Sequence, residues 1–397
     1  MLREEIEIKS LPVGKLGIIA MKGCEQLASN IDYYLSSWRK ARDSEHKTAF
    51  GLDGYERDTY LVKTDCPRFG SGEAKGVLID SVRGMDIFII CDVCNCSIEY
   101  KMTGMINHMS PDDHYSDLKR IISAIGKKEN RINVIMPFLY ESRQHKRTQR
   151  ESLDCAMALE ELYSMGVENI ITFDAHDPRV INCAPMDNFE NIRPSYQFLK
   201  YLCKVEKDIK FDKDHLLMIS PDEGAMDRAV YFASVLGIDM GMFYKRRDYS
   251  QVVNGSNPIV AHEYLGISPE GKDVIIVDDM ISSGGSMIDT AKELKKRGAR
   301  NVYVFSTFGL FTNGFDKFDK AVEDGLIKRV LTTNGTYQSP ELLSRDYYTS
   351  VDISKFTSYF IDSLNHNASI SDLLDPSNKI KELIKDYRLE QQAREGK

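Results

Sequence analysis

In the stretch DVIIVDDMISSGGSMID, Asp273 to Asp289, an unbroken β-branched run ends in two adjacent aspartates and a loop of serines and glycines. A wholly apolar run such as Val274–Val277 suits a strand covered on both faces, the habit of parallel sheets. Two neighbouring carboxylates would repel each other in a core. They belong at the strand's carboxyl end, where open α/β sheets take their ligands. MISSGGS then turns into a helix whose buried face is Met287, Ala291 and Leu294, with Gly298 as its stop. Gly284 and Gly285 let the backbone approach a ligand closely. Ser282, Ser283 and Ser286 offer hydroxyls, and the helix start offers N–H groups. Together they form a cradle for an anion such as phosphate. Asp278 and Asp279 suit hydroxyl groups instead, or a bridging metal. One ligand satisfies both halves, a sugar phosphate. The plainer alternative, a solvated turn before a capped helix, leaves unexplained why acids and Gly-Ser loop coincide at one sheet edge.

Outward from this stretch the chain repeats its pattern. KLGIIAM (from Lys15), GVLIDSV (Gly76), MDIFIIC (Met85), INVIMPF (Ile132) and NIITFDA (Asn169) read as strands, as do HLLMISPD (His215), NVYVFSTFG (Asn301) and KRVLTTN (Lys328). Amphipathic stretches such as SLDCAMALEELYSMG separate several of them, which predicts parallel α/β layers. A chain of 397 residues needs more than one core. The join is expected near residues 190–210, in the polar segment DNFENIRPSYQ that starts at Asp187. IDSLNHNASISDLLDPSNK, from Ile361, reads as a loop. Beyond it Ile380, Leu383, Ile384 and Tyr387 recur at helical spacing.

The composition is that of a globular protein, with 42% hydrophobic and 28% charged residues. A formal charge of −8 points away from nucleic acid or a membrane surface as partner. The start MLREEIEIKS has no apolar core of a signal peptide, and no apolar run reaches spanning length, so a cytoplasmic setting with reduced thiols is expected. CDVCNC, Cys91 to Cys96, lacks the second pair a zinc site needs and reads as free thiols in a strand. HMSPDDH, from His108, reads as a polar loop. GISPEGKD, from Gly266, imitates a Walker loop but precedes a strand and lacks the magnesium-binding hydroxyl, so it is a connection.

VDDMISSGGS resembles the ribose-phosphate loop of the type I phosphoribosyltransferase fold. Other strings narrow the likeness. SPDEGAMDRA from Ser220 is similar to the Ser-Pro-Asp-x-Gly-Gly-x-x-Arg-Ala of ribose-phosphate pyrophosphokinases (PRPP synthetases). YKRR, with Lys245 and Arg247, resembles their basic loop motif. SRQHKRTQRES from Ser142 resembles their Arg-Gln nucleotide segment. FDAHDP sets His176 where they carry a metal- and ATP-contacting histidine. RFGSGEAKG from Arg68 resembles their Phe-Ser-Asp-Gly-Glu nucleotide segment, and SVRGMD from Ser81 their Asn-Val-Arg-Gly-x-Asp. These strings follow the family's order over about residues 65–375.

The resemblance implies two tandem type I phosphoribosyltransferase-like domains, each a mainly parallel sheet flanked by helices. Residues 13–200 would form the nucleotide side, 201–375 the ribose-phosphate side, and 376–397 a C-terminal amphipathic helix. It implies transfer of the pyrophosphoryl group of Mg-ATP to the C1 hydroxyl of ribose 5-phosphate. Lys245 and Arg247 would stabilise the group in flight, as fixed cations do in phosphoryl transfer. Asp278, Asp279, Ser282, Ser283, Gly284, Gly285 and Ser286 would hold ribose 5-phosphate. Phe69, Ser71, Glu73, Arg143, Gln144 and His176 would place the nucleotide, and His176 with Asp222 would contact Mg²⁺. A homo-oligomer is implied by the family alone.

The chain departs from the pattern at four places. Ser282-Ser283 replaces Asp-Thr in the phosphate loop, Ser71 an aspartate in the nucleotide segment, His145 the aspartate after Arg-Gln, and Ala225 a glycine. It is also longer, with extra sequence around residues 35–65 and 97–116. The substitutions at Ser71, Ser282 and His145 motivate one alternative, a non-catalytic regulatory or binding subunit; a further reading is a phosphoribosyltransferase that consumes the diphosphate product.

Overall fold

A computed structural model of the chain describes residues 10–44, 54–247 and 259–395, with backbone alone at 43–44, 245–247, 259–262 and 395. The elements begin with β1 (Lys15–Ala20), α1 (Glu25–Ser44) and a short hairpin of β2 (Thr64–Asp65) and β3 (Val77–Leu78). Then come β4 (Met85–Ile90), a second hairpin of β5 (Glu99–Met102) and β6 (Met105–His108), α2 (Pro111–Ile125), β7 (Arg131–Ile135), α3 (Asp154–Ser164), β8 (Val167–Phe173) and β9 (Asn188–Ile192). The next run is α4 (Ser195–Val205), β10 (Leu216–Ser220), α5 (Met226–Leu236), β11 (Asp239–Arg247), β12 (Ile259–Gly266), β13 (Asp273–Ile281) and α6 (Gly285–Lys296). It continues with β14 (Val302–Gly309), α7 (Asp316–Glu323), β15 (Arg329–Thr333), α8 (Pro340–Leu343) and β16 (Tyr348–Val351). The chain closes with α9 (Ser354–Asn365), α10 (Ser371–Leu374) and α11 (Ser377–Glu395).

These elements form two compact units. One is Met1–Arg193 with Asn334–Tyr337 and Asp352–Leu374; the other is Pro194–Thr333 with Gln338–Val351 and Asp375–Lys397. The first contains a five-stranded parallel sheet in the order β1-β4-β7-β8-β9. The second contains a seven-stranded sheet in the order β12-β11-β10-β13-β14-β15-β16, parallel except where β12 pairs antiparallel with β11.

Alternation along β13 explains why its apolar run is unbroken. Ile275 and Val277 enter a core with Phe198, Phe232 and Phe305, while Val274 and Ile276 enter another with Met287, Leu294 and Phe318. Both faces are covered from Val274 to Val277, so no position in that run is free to be polar. Burying each such side chain contributes about 1.5–3 kcal/mol.

The division differs from the expected run 201–375. Residues 352–374 pack with the first unit, not the second, because α9 lies along α1 and its polar face is consumed there. Arg39 reaches Asp362 at 3.2 Å and Asn365 at 2.7 Å, and Arg42 reaches Asp362 at 2.6 Å. Asn365 also donates to Asp86 at 2.8 Å. IDSLNHNASISDLLDPSNK is therefore helical at both ends rather than a loop throughout: at its start Asp362, Ser363, Asn365 and His366 are buried, whereas Asn367, Ser369 and Asp375 are exposed. In the second unit α11 packs on α4 and α5, with Ile380, Ile384 and Tyr387 in the core.

Two smaller readings also change. HMSPDDH is not a loop: Ser110 and Asp113 form a capping box that starts α2, with Pro111 at the first helical position. CDVCNC lies just past β4 rather than within it, with Cys91 buried and Cys96 exposed. The connection read at GISPEGKD runs from the end of β12 to β13.

Candidate active site

The second sheet changes direction at β10. From there the chain adds β11 on one side and, after β12 has joined β11, β13 on the other. Such a switch point opens a crevice at the carboxyl ends of the two central strands. Its register makes the opening concrete. The last β10–β13 pair is Ile219 with Ile276, whereas β13 continues beside β14 as far as Ile281. Asp278 and Asp279 thus lie beyond the end of β10, where that neighbour no longer covers β13.

The acids act on one another. The Asp278 carboxyl is pushed well above the usual carboxylate range, first by burial, then by Asp279 and Asp222, with Arg228 opposing. The Asp279 N–H donates to Asp278 Oδ1 at 2.9 Å. Asp222 enters this cluster from the turn after β10. One of its oxygens accepts N–H groups from Gly224 at 3.0 Å and Ala225 at 3.3 Å, so it also braces the start of α5. Arg228, buried on α5 with Nη1 on the Gly224 carbonyl at 3.3 Å, is a cation that opposes this upward shift. The sequence reading gave Arg228 no role, although it lies within the quoted SPDEGAMDRA, six positions past Asp222. Ala225 explains itself: its φ of −91° lies in the right-handed region, so nothing there requires glycine.

Ser282 to Ser286 follow as a tight turn. Gly284 has φ of +79°, and a Cβ there would lie 2.2 Å from Phe318 Cε2, so both conformation and space demand glycine. Gly285 is different, with nothing nearer than Ser283 Oγ at 3.9 Å. Ser283 and Ser286 are exposed, and Ser282 is half-buried. Gly284 stands at the N-cap of α6 without a side chain to cap it, and a helix start of this kind directs its first-turn N–H groups to the loop side. The Thr312 N–H donates to the Ser282 carbonyl at 3.0 Å, tying the turn to the end of β14. The expected ribose-phosphate residues are therefore brought together at one edge. Lys245 and Arg247 end β11, the strand next to β10, and their side chains lie outside the described residues.

The first unit holds the expected nucleotide residues in two groups. His176 follows β8, and its ring centroid lies 5.7 Å from that of His145. His145 Nε2 lies 3.0 Å from Asp177 Oδ2. Arg143 is exposed on the same turn, while Gln144 closes the loop behind it by donating to the Ser152 carbonyl at 2.8 Å. Asp177 is held well below the usual carboxylate range by Arg179 and, after the opposing effect of burial, by His145. The sequence reading missed Asp177, which adjoins His176 in FDAHDP. The second group is the turn between β2 and β3. Phe69 stands 54% exposed on it, and Ser71 Oγ donates to Glu73 Oε2 at 2.8 Å.

Magnesium fits this donor chemistry in one particular way. Among the described residues no group of three or more His, Cys, Asp or Glu side chains is arranged to hold a metal. Mg²⁺ needs no such cage, since it is usually held by one or two carboxylates together with substrate phosphates. The acid cluster of Asp222, Asp278 and Asp279 offers carboxylates of that kind.

Comparison with known proteins bears on the fold and the family. The model for the N-terminal domain of ribose phosphate pyrophosphokinase matches residues 16–166, and the phosphoribosyl transferase domain model matches residues 196–343. A ribose-phosphate pyrophosphokinase of Vibrio parahaemolyticus is 27% identical over 311 residues, covering 77% of this chain and 88% of that protein. One from Helicobacter pylori is 28% identical over 320 residues, covering 79% and 88%. The crystal structure of phosphoribosylpyrophosphate synthetase from Mycobacterium smegmatis superposes with a TM-score of 0.67 at 20% identity, covering 89% of this chain and all of that one, which establishes the fold. With both domain models matched in tandem and the synthetase fold shared along the chain, the protein belongs to the ribose-phosphate pyrophosphokinase family of enzymes.

Proposed function

We propose that this chain is a ribose-phosphate pyrophosphokinase, converting Mg-ATP and ribose 5-phosphate to 5-phosphoribosyl 1-diphosphate and AMP. The observation that carries the reading is the pairing of acids and Gly-Ser turn at the switch point between β10 and β13, in a chain that matches both family domains. Asp278 and Asp279 accept from the ribose hydroxyls. Ser282, Ser283, Gly284, Gly285 and Ser286 cradle the 5-phosphate with hydroxyls and N–H groups. The anomeric hydroxyl oxygen bonds to the β-phosphorus of ATP. The bond from that phosphorus to the α–β bridging oxygen breaks, its electron pair leaves with AMP, and the hydroxyl proton passes to water. Lys245 and Arg247 stabilise the charge that builds on the transferring group.

Phe69 offers its face to the base, and Ser71, Glu73, Arg143, Gln144 and His176 bind the rest of the nucleotide. Magnesium, when bound, draws charge from the phosphate oxygens. Asp222 in the second unit and His176 in the first are each a magnesium contact in this reading, and the carboxylate is the hard donor the ion prefers. The departures from the family pattern are compatible with catalysis: Ala225 is unstrained, and Asp177 returns an acid to the side of His145. Cytoplasmic location and a homo-oligomeric state come with the family reading.

The test is AMP release from Mg-ATP with and without ribose 5-phosphate, with Lys245→Ala as control. AMP that requires the sugar and vanishes in the variant supports the reading. Folded protein that releases none at saturating substrates removes it.

A further inference from the structure

We infer that the β5–β6 hairpin is a positioning device for the nucleotide turn, with Tyr100 and Met102 as its positioning residues. This deepens the function proposed above and rests on the nucleotide role assigned there to Phe69 and Glu73. The hairpin falls inside residues 97–116, where this chain exceeds the family's length.

The turn that carries Phe69 has little of its own to hold it. The ladder beneath it pairs Thr64 with Leu78 and Asp65 with Val77, and reaches the turn through the Lys75 N–H on the Pro67 carbonyl at 3.2 Å and a bridge of Arg68 with Ala74. Inside the turn the Phe69 N–H donates to the Glu73 carbonyl at 2.7 Å and the Gly72 N–H to the Phe69 carbonyl at 2.9 Å. A ribbon of only two strands is marginal in water by itself, yet Phe69 projects from it half exposed. An aromatic platform on a loose turn must be ordered by the ligand, at a cost in affinity. One held in advance avoids that cost.

The hairpin supplies the hold. Its tip is a two-residue turn with Thr103 at φ +52° and Gly104 at φ +83°, the tight turn that suits twisted strands. The Thr103 N–H crosses to the Gly70 carbonyl at 2.9 Å. Alternation along β5 then aims every second side chain at the nucleotide turn: Tyr100 and Met102 are half-buried while Glu99 and Lys101 are exposed. Met102 lies against Gly72, so closely that a Cβ on that glycine would meet Sδ at 2.7 Å. The Arg68 guanidinium lies 4.6 Å from the centre of the Tyr100 ring. The same guanidinium donates to Asp117 at 2.8 Å and to the Gly72 carbonyl at 3.3 Å. Arg68 is thus clamped between an aromatic face, an acid of α2 and the turn itself. The hairpin's ring completes the clamp on the residue just before Phe69.

The test measures KM for ATP, KM for ribose 5-phosphate, kcat and Tm of the full chain as wild type, Tyr100→Ala, Met102→Ala and Tyr100→Phe. Tyr100→Ala should raise KM for ATP roughly five- to tenfold, with Met102→Ala in the same direction. KM for ribose 5-phosphate and kcat should stay near wild type. Tyr100→Phe keeps the ring and should behave as wild type. A folded Tyr100→Ala protein with unchanged KM for ATP overturns the inference. So does a variant in which both KM values and Tm move together, which is what a merely structural role would give. Titration with a non-hydrolysable ATP analogue separates this from the activity itself. Wild type that binds the analogue more tightly than Tyr100→Ala, yet never releases AMP, keeps the hairpin's role and removes the proposed reaction. Wild type that is active while Tyr100→Ala binds equally well does the reverse.

Discussion

His145 Nε2 stands 3.0 Å from Asp177 Oδ2, and both side chains are largely buried. The family resemblance puts an aspartate at position 145. In this chain a histidine stands there, and the acid that faces it comes from the loop after β8. Asp177 is shared with Arg179, whose Nε approaches Oδ1 at 2.9 Å. His176, the nucleotide candidate, adjoins this pair in sequence and in space.

Exchange of the two positions tests whether the local charge pattern matters. Asp177→Ala should raise KM for ATP about three- to fivefold, the equivalent of about 1 kcal/mol for a single ion pair. His145→Asp alone sets two carboxylates together and should do more harm than Asp177→Ala. The double variant His145→Asp/Asp177→Ala relieves that repulsion and should recover most of the loss. Non-additivity in this cycle is the readout; simple addition of the two effects would mean that the pair is incidental.

The raised pKa of Asp278 makes a stability prediction whose sign is unusual for an active-site change. A carboxyl with a higher pKa in the folded state binds more protons there than in the unfolded chain. The stability it contributes is therefore full below the unfolded value, near 3.9, and is lost as pH rises through the folded value. Asp278→Asn removes that loss. It should raise Tm by a few degrees at pH 8, with the gain shrinking as pH falls toward 4, while turnover disappears. A Tm difference that does not change across this pH range would contradict the burial and repulsion that push this carboxyl up.

The repeated apolar runs were legible because parallel strands are covered on both faces and cannot hide among polar residues. The acids at Asp278–Asp279 were legible for the opposite reason, since a charged pair has no place inside such a strand. Short-range order was harder to read. Ser110-Pro111-Asp112-Asp113 is as polar as any loop, yet it is a helix cap, and only reciprocal bonds between Ser110 and Asp113 distinguish the two. The α9 region was misread because Asp362 and Asn365 are polar in composition and buried in fact. Partners such as Arg39, more than 300 residues away, leave no local trace. Asp177 and the β5–β6 hairpin went unread for the same reason, since their meaning lies in what they touch.

The two glycines of the phosphate turn should separate folding from binding. Gly284→Ala forces a left-handed conformation on alanine, costing about 1–2 kcal/mol, and drives its Cβ into the Phe318 ring. Thermal denaturation should show a clear loss. Gly285→Ala meets open space and should leave Tm nearly unchanged. Its methyl group would instead intrude on the anion cradle and raise KM for ribose 5-phosphate, with little effect on KM for ATP. If Gly285→Ala has wild-type KM for the sugar phosphate, the turn does not bind it as proposed.

Asp362 tests the assignment of α9 to the first unit. It is buried and faces two guanidinium groups, Arg39 at 3.2 Å and Arg42 at 2.6 Å. Burial alone would raise its pKa, but the two arginines outweigh that and hold it below the usual value. The carboxylate's contribution is accordingly present above the unfolded value and is lost as pH falls toward the folded one. Asp362→Ala leaves Arg39, itself 1% exposed, without its counter-charge. Removing one partner of a buried pair costs about 3–5 kcal/mol, far more than the pair's net contribution. The variant should lower Tm substantially in denaturation scans, and Asp362→Asn, which keeps an acceptor but not the charge, should fall between it and wild type. Replacing the whole set with apolar residues of similar volume should recover stability, because no charge is then left buried alone. A variant Asp362→Ala that melts with wild type would mean that α9 is held to α1 by other contacts, the stack of Trp38 on Tyr359 at 4.5 Å included, and that the arginines find water when the acid is gone.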